Sequence, residues 1–357
     1  MNANRGYVII KGSGGAGLGD RICGLAVGIL YAKHCGRTLY VDWRDRAFGT
    51  HQRNLFPELF CIEGVQIADR LPEGIDVAPE IWSDRLDLSL DQLRAFDLDQ
   101  RGIKWTGAAP PWDREDAIRR YSVDLSRLDH PQTAVVVWSG GSVHALVGEL
   151  RTRGLVDSDH TSESMLSCTV SKHIRFQPDI EDKVRQFREQ AFAGRATIGV
   201  HYRKTDEAAA ARALPSESQY LRATDEGFAC LPEDAIVFLA TDNRDVQELY
   251  SQRYGRDRVC WFEKWMPESG ASIHKNNACP DGVASAKDAL VDVGLLASCD
   301  RLVLTGNSSF SALASWFSTL PASKCKSIYP DNGPLSRRMI RRVKHMIQSA
   351  LAKECHP

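Results

Sequence analysis

The sequence predicts an α/β protein built as two domains, and three observations carry that reading. The chain is 357 residues long, enough for two cores at roughly 150 residues per domain. Near its start, Tyr7-Val8-Ile9-Ile10 has the composition of a buried strand. It runs at once into Lys11-Gly12-Ser13-Gly14-Gly15-Ala16-Gly17-Leu18-Gly19-Asp20-Arg21, then a helical pattern over 22–35 closed by Gly36, then a second strand over 38–41 ending at Asp42. That is a β-loop-α-β unit. In the second half, Thr197-Ile198-Gly199-Val200 leads without a break into His201-Tyr202-Arg203-Lys204-Thr205-Asp206-Glu207. A core strand cannot bury so many unpaired charges, so this block belongs at a strand end facing a ligand.

In an α/β sheet, ligands gather beyond the carboxyl ends of the strands. Alternation on the pleat sets His201 and Arg203 on one side of the tip, Tyr202 and Lys204 on the other. Arg203 can grip a phosphate bidentately, and Lys204 adds a point charge. The N-terminal glycine loop leaves two readings open. Gly12, Gly14 and Gly17 fit G-x-G-x-x-G, with Asp42 where a dinucleotide-binding fold places its ribose acid, which points to NAD. The same glycines equally allow close backbone approach to another ligand, with the amides of the next helix facing it. Gly17 and Asp20 are the ligand-facing candidates of this first domain.

Residues 45–175 carry turn clusters, a helix over 88–95 and a buried strand over 134–138 ending in Ser139-Gly140-Gly141-Ser142, a second loop suited to the same cleft. Asp97-Leu98-Asp99 and Asp157-Ser158-Asp159 are literal D-x-D matches, but neither follows a strand and no metal is assigned to them. An amphipathic helix over 179–193 marks the domain boundary near its start. The domains are thus 1–176 and 177–334, followed by a C-terminal segment, 335–357, whose helix has a basic face suited to solvent or to at most peripheral membrane contact.

Within the second domain, the buried strand over 235–240 ends on Thr241-Asp242-Asn243, where Asp242 either caps the helix over 244–254 or meets ligand. A helix over 285–299 places Asp288 and Asp292 on one face amid Leu290, Val291, Val293, Leu295 and Leu296, so an aspartate there needs a donor. The strand over 301–304 then runs into Thr305-Gly306-Asn307-Ser308-Ser309-Phe310-Ser311 and a helix from Ala312. Strand, small polar turn and helix N-terminus form an anion site in which Ser308 and Ser309 supply hydroxyls beside free amides.

Composition narrows the classes. With 43% apolar and 25% charged residues, the chain reads as globular. A net charge of -1 argues against generic nucleic-acid binding, which needs a broadly basic face. No window approaches the roughly 18 continuous apolar residues of a membrane span, and no signal pattern opens the chain, so a cytoplasmic location is expected. The ten cysteines are scattered without a C-x-x-C pair, which fits reduced structural thiols rather than zinc ligands.

The motifs together resemble a known family. Gly17-Leu18-Gly19-Asp20, with Gly36-Arg37-Thr38-Leu39-Tyr40-Val41-Asp42-Trp43-Arg44, is similar to the opening of the NodZ-type fucosyltransferases. His201-Tyr202-Arg203-Lys204-Thr205-Asp206 resembles a peptide shared by the α1,6-, α1,2- and protein O-fucosyltransferases. Asp292 to Asp300 and the turn at Asn307-Ser308-Ser309 resemble their third motif. The resemblance implies a GT-B-like α/β fold, two Rossmann-like domains facing a cleft, that uses GDP-fucose as donor substrate without a bound cofactor or required metal. It implies that Arg203 neutralises the diphosphate, that Ser308 and its neighbours hold the same phosphates, that Asp292 accepts from guanine, and that His201 lines the nucleotide pocket. An oligosaccharide or glycoconjugate would be the acceptor, probed from the side of the N-terminal loop. A glutamate that serves as base in the eukaryotic α1,6 relatives is replaced here by Ala208-Ala209-Ala210-Ala211-Arg212, which makes Glu207 the first candidate, next to Asp206, with Glu217 and Asp20 as alternatives. Lys204 stands where relatives carry a second arginine. An α1,2 transferase, an NAD-dependent oxidoreductase and a non-catalytic sugar-nucleotide-binding module are the alternatives.

Overall fold

The computed structural model describes residues 6–12, 16–45, 47–49, 53–104, 114–138, 143–204, 214–267 and 278–330. The chain separates into two compact units, 1–175 and 176–357. Each is an α/β unit with its own parallel sheet.

The first unit runs β1 (Tyr7–Lys11), α1 (Leu18–Cys35), β2 (Thr38–Asp42), α2 (Phe56–Leu59), β3 (Phe60–Ile62), β4 (Val77–Ala78), α3 (Leu90–Gln100), α4 (Arg114–Tyr121), β5 (Ala134–Val137), α5 (Val143–Thr152), α6 (Ser162–His173) and β6 (Ile174–Phe176). Its main sheet has the order β2-β1-β5-β4, with β3 and β6 forming a separate pair. Ile10 of β1 lies opposite Val41 of β2 and Val137 of β5. Strands covered on both faces read as continuous apolar runs rather than alternating ones, which is why Val8, Ile9 and Ile10 are all buried. The helix expected over 88–95 runs instead from Leu90 to Gln100, opened by a capping box between Ser89 and Gln92. It continues through Asp97 because that buried carboxylate accepts from Arg120 and, at 2.8 Å, from the Tyr121 hydroxyl.

Two buried ion pairs stand at the carboxyl end of β1. Lys11 Nζ lies 2.6 Å from Asp42 Oδ2 and also donates to the carbonyls of Leu86 and Leu88. Burial lowers the Lys11 pKa against the opposing pull of Asp42. Asp42 takes two further bonds from the Arg44 guanidinium, at 2.8 and 2.7 Å, and one from the Arg44 amide at 3.2 Å. Burial alone would raise its pKa, but the bonds and charges of Arg44 and Lys11 outweigh that and hold it below the usual carboxylate range. Arg21 binds Asp45 at 2.6 Å with both side chains fully buried. A Cβ on Gly12 would sit 2.6 Å from Asp45 Oδ2, so this glycine is required by an internal ion pair. Asp42 is engaged in the same way, and the NAD reading of Gly12 to Asp42 loses both its ribose acid and its first glycine.

The second unit runs α7 (Pro178–Phe187), β7 (Thr197–Tyr202), α8 (Glu217–Phe228), β8 (Ile236–Thr241), α9 (Arg244–Tyr254), β9 (Val259–Cys260), α10 (Gly282–Ala297), β10 (Arg301–Thr305), α11 (Ser309–Phe317) and β11 (Cys325–Ile328). Its five strands are parallel in the order β11-β10-β7-β8-β9. Counted from the first strand of the unit and read from β9, that is 3-2-1-4-5, the doubly wound order, and the direction of winding reverses between β7 and β10. The strand expected to stop at Val200 continues to Tyr202, with all six residues buried. Tyr202 belongs to the core: its ring stacks on Tyr220 at 3.9 Å and meets Tyr250 edge-on at 6.3 Å. The Tyr202 ring is therefore taken up by packing, and on β7 itself His201 is the tip side chain left for the site. Among the described residues no helix is long and apolar enough to cross a membrane.

Candidate active site

The site of the second unit is assembled where β7 and β10 end side by side. Thr305 Oγ1 donates to the main-chain carbonyl of His201 at 3.0 Å. Its own proton being used, Thr305 accepts from the Tyr220 hydroxyl at 2.6 Å. This relay from α8 through β10 to β7 fixes the two strand tips against each other. Beyond Thr305 the backbone of Gly306 donates to Ile328 at 2.7 Å, and a Cβ on Gly306 would come within 2.4 Å of the Tyr329 ring. The turn can therefore follow this path only with glycine.

The turn delivers Ser308 as the N-cap of α11. Its amide donates to the Thr305 carbonyl at 3.0 Å, but its side chain makes no capping bond, and its buried hydroxyl has no hydrogen-bond partner among the described residues. The helix begins at Ser309, three residues before the expected start, so its first amides open directly onto the turn. One turn in, Ser311 Oγ lies 2.7 Å from His201 Nδ1, and the Phe310 ring lies 4.9 Å from the imidazole. Burial foremost, and then the charges of Arg203 and Lys264, push the His201 pKa down to about 3. His201 is therefore a neutral, fixed hydrogen-bonding group at physiological pH.

Just past β7, Arg203 is half-buried and Lys204 is exposed. The Lys204 amide donates to Asp242 Oδ1 at 3.1 Å, and its ammonium lies 3.2 Å from Asp245 Oδ2. Asp242 is not the cap of α9. Asn243 is, accepting from the Asp245 amide at 2.9 Å. Asp242 instead ties the tip of β7 to the tip of β8, where Tyr202 faces Thr241 in register.

Asp292 is buried on α10, and the donor its apolar surroundings require is Lys264, with the two side chains 8% and 4% exposed. Desolvation raises the Asp292 carboxyl pKa, and Lys264 opposes that. Oδ2 holds the lysine, while Oδ1 has no hydrogen-bond partner among the described residues. Its level along the sheet follows from packing. A Cβ on Gly199 would touch Leu296 and the Cys299 sulfur. Because α10 leads back into the parallel strand β10, it runs against β7, and one helical turn before Leu296 moves toward the carboxyl end, the side of His201. Lys264 carried no sequence signal of its own. Only the unmet need of Asp292 pointed to a partner.

His201, Arg203, Lys204, Asp242, Asp292, Ser308 and Ser309 thus all lie in the second unit, on the strand ends and helices around its switch point. Gly17 and Asp20 lie in the first unit, at the start of α1, with Gly17 as N-cap and Asp20 exposed in the first turn. Asp206, Glu207, residues 13–15, residues 139–142 and the helix expected over 335–353 fall outside the described residues. Glu217 opens α8 inside the capping box of Ser216 and Gln219.

No family profile matches the chain. It is 26% identical over 313 residues to Nodulation protein Z of Azorhizobium caulinodans, covering 80% of this chain and 82% of that protein. The structure of NodZ alpha-1,6-fucosyltransferase soaked with GDP-fucose superposes with a TM-score of 0.56 at 21% identity, over 87% of this chain and 92% of that one. A single-residue mutant of Arabidopsis thaliana FUT1 in complex with GDP gives a TM-score of 0.52 at 17% identity, over 90% of this chain and 70% of that one. The fold is the one these fucosyltransferases share, and the chain is NodZ-like in sequence as well.

Proposed function

We infer that this NodZ-like chain is a glycosyltransferase that moves fucose from GDP-fucose to a hydroxyl of a glycan or glycolipid-like acceptor, in α1,6 linkage and with inversion at the transferred carbon. The reading is supported by its similarity to Nodulation protein Z and to NodZ structures determined with GDP-fucose and GDP. The single observation that carries it is the switch point itself: a strand tip bearing His201 and Arg203 stands beside a glycine turn, a Ser308 hydroxyl without a partner among the described residues, and the open N-terminus of α11.

The chemistry follows from where charge develops. As the bond from the sugar carbon to the β-phosphate oxygen breaks, negative charge grows on the diphosphate. The Arg203 guanidinium, the Ser308 hydroxyl, Ser309 and the first amides of α11 stabilise that charge more in the transition state than before it. Lys204 adds a second positive charge at the rim. The neutral His201 lines the nucleotide pocket, fixed there by Ser311 and Phe310. Asp292 accepts from the guanine ring through its remaining oxygen, and Asp242 orients the segment carrying Lys204. Glu207, with Asp206 beside it, takes the proton of the attacking acceptor hydroxyl, and Gly17 and Asp20 serve the acceptor from the first domain.

The test is thermal unfolding of the full chain with GDP, UDP, NAD and their sugars, followed by release of GDP from GDP-fucose in the presence of an amino-sugar oligosaccharide. Selective stabilisation by GDP and GDP-fucose, with turnover, is expected. Stabilisation by NAD without any response to GDP would overturn the reading.

A further inference from the structure

Resting on the guanine-nucleotide reading above, we propose that Lys264 is the specificity-determining positioning residue of the nucleotide site: its contact with Asp292 keeps that carboxylate an acceptor only, and so selects guanine over adenine.

The argument begins with one side chain in an expensive place. Asp292 is 3% exposed among Leu290, Val291, Val293, Leu295 and Leu296, all fully buried. A carboxylate desolvated to this degree favours its neutral, protonated form unless a cation is held against it. The charged groups around it are few. Lys264 contacts Oδ2 and opposes, without cancelling, the upward shift that burial imposes on the carboxyl. Asp288, one helical turn earlier, adds a repulsive charge but is itself engaged by Lys183 at 3.1 Å. His201, on the neighbouring strand, is uncharged near neutral pH. Lys264 is therefore the only cation among the described residues in contact with Asp292, and it leaves Oδ1 unpartnered.

The protonation state decides what the site can read. An ionised carboxylate has lone pairs only, whereas a protonated one offers a donor beside an acceptor. Guanine presents N1–H and the N2 amino group as two adjacent donors, which match an acceptor-only partner. Adenine presents the N6 amino donor next to the N1 acceptor, which an ionised carboxylate repels and a protonated one matches. A site built for one pattern rejects the other strongly because a buried polar group would be left unpaired. Removing the charge at 264 lets Asp292 take up a proton, and the preference drifts from guanine toward adenine without any change in the groups that hold the phosphates.

The experiment is calorimetric binding of GDP, IDP and ADP to the full-length protein at pH 6 and pH 9. Wild type is expected to bind GDP at least 100-fold tighter than ADP at both pH values, with IDP between them. Lys264→Met is expected to lower the GDP-to-ADP ratio at least tenfold at pH 6 and to regain part of it at pH 9, while Lys264→Arg keeps the wild-type ratio. The ratio cancels titration of the terminal phosphate, and a purely structural defect would weaken all three nucleotides together. Lys264→Gln gives the same readout should the methionine variant fail to fold. In wild type itself, a GDP-to-ADP ratio that collapses at pH 6 would overturn the proposal without any variant. A neutral variant that keeps the wild-type ratio at pH 6 would overturn it while leaving the GDP-fucose reading intact. Wild type with no affinity for GDP would remove both.

Discussion

The hydroxyl of Thr305 donates to the carbonyl of His201 at 3.0 Å, and that bond joins the two strands between which the second sheet reverses its winding. Every phosphate-facing group assigned to the site hangs from one of those two tips. Thr305→Val keeps the shape of the side chain, but strips the His201 carbonyl of its donor and the buried Tyr220 hydroxyl of its acceptor. A loss of about 1–3 kcal/mol is expected from the two stranded groups, read by urea unfolding. GDP affinity should fall with it, since the tips are no longer held in register.

Gly306 and Tyr329 form a second such constraint. In Gly306→Ala the new methyl meets the Tyr329 ring at 2.4 Å, so either the ring or the turn must move. Overpacking of this kind costs about 1–3 kcal/mol, and displacement of the turn should weaken GDP at least tenfold. The double variant Gly306→Ala with Tyr329→Leu is expected to recover a good part of both, as measured by a stability and binding cycle. No recovery would place the strain elsewhere.

The pH dependence of stability carries the mark of His201. Its folded pKa, about 3, lies below the ordinary histidine value of 6.5, so between those values the unfolded chain binds a proton that the folded chain does not. Stability therefore falls as the pH drops through this window, by up to about 1.4 kcal/mol per pH unit from this one group. His201→Gln should flatten the acid limb of the stability curve between pH 6 and pH 4. An unchanged slope would show that the imidazole is already solvated.

In the first unit the buried Arg21–Asp45 pair gives a stability prediction independent of any ligand. Asp45→Asn leaves a fully buried guanidinium without its counter-charge, which should cost about 3–5 kcal/mol. Guanidinium chloride unfolding checks it. A loss below 1 kcal/mol would mean that water reaches Arg21.

The fold class was legible because strands covered on both faces are written as unbroken apolar runs, and the β-loop-α-β unit and strand-turn-helix at Thr305 were read from those runs and their glycines. The candidates around the second switch point were legible for a related reason: charged residues attached directly to a buried strand have few other places to be. What the sequence did not reveal was partnership across long separations. Lys11 and Asp42 are 31 residues apart, and Lys264 and Asp292 are 28, and no local pattern distinguishes an acid awaiting a ligand from one already paired. Gly12 and Asp42 matched a dinucleotide fingerprint for that reason, although internal ion pairs account for both. Tyr202 looked ligand-facing because alternation sets its side of the pleat but cannot tell that α8 and α9 have filled that side with Tyr220 and Tyr250.

The most direct test of the central claim is the rate of GDP release from GDP-fucose, with an amino-sugar oligosaccharide as acceptor, by wild type and by Arg203→Ala. One charge-stabilising donor removed from a departing diphosphate is expected to cost roughly 3 kcal/mol, a rate loss of at least two orders of magnitude. An Arg203→Ala protein that turns over near the wild-type rate would contradict the account.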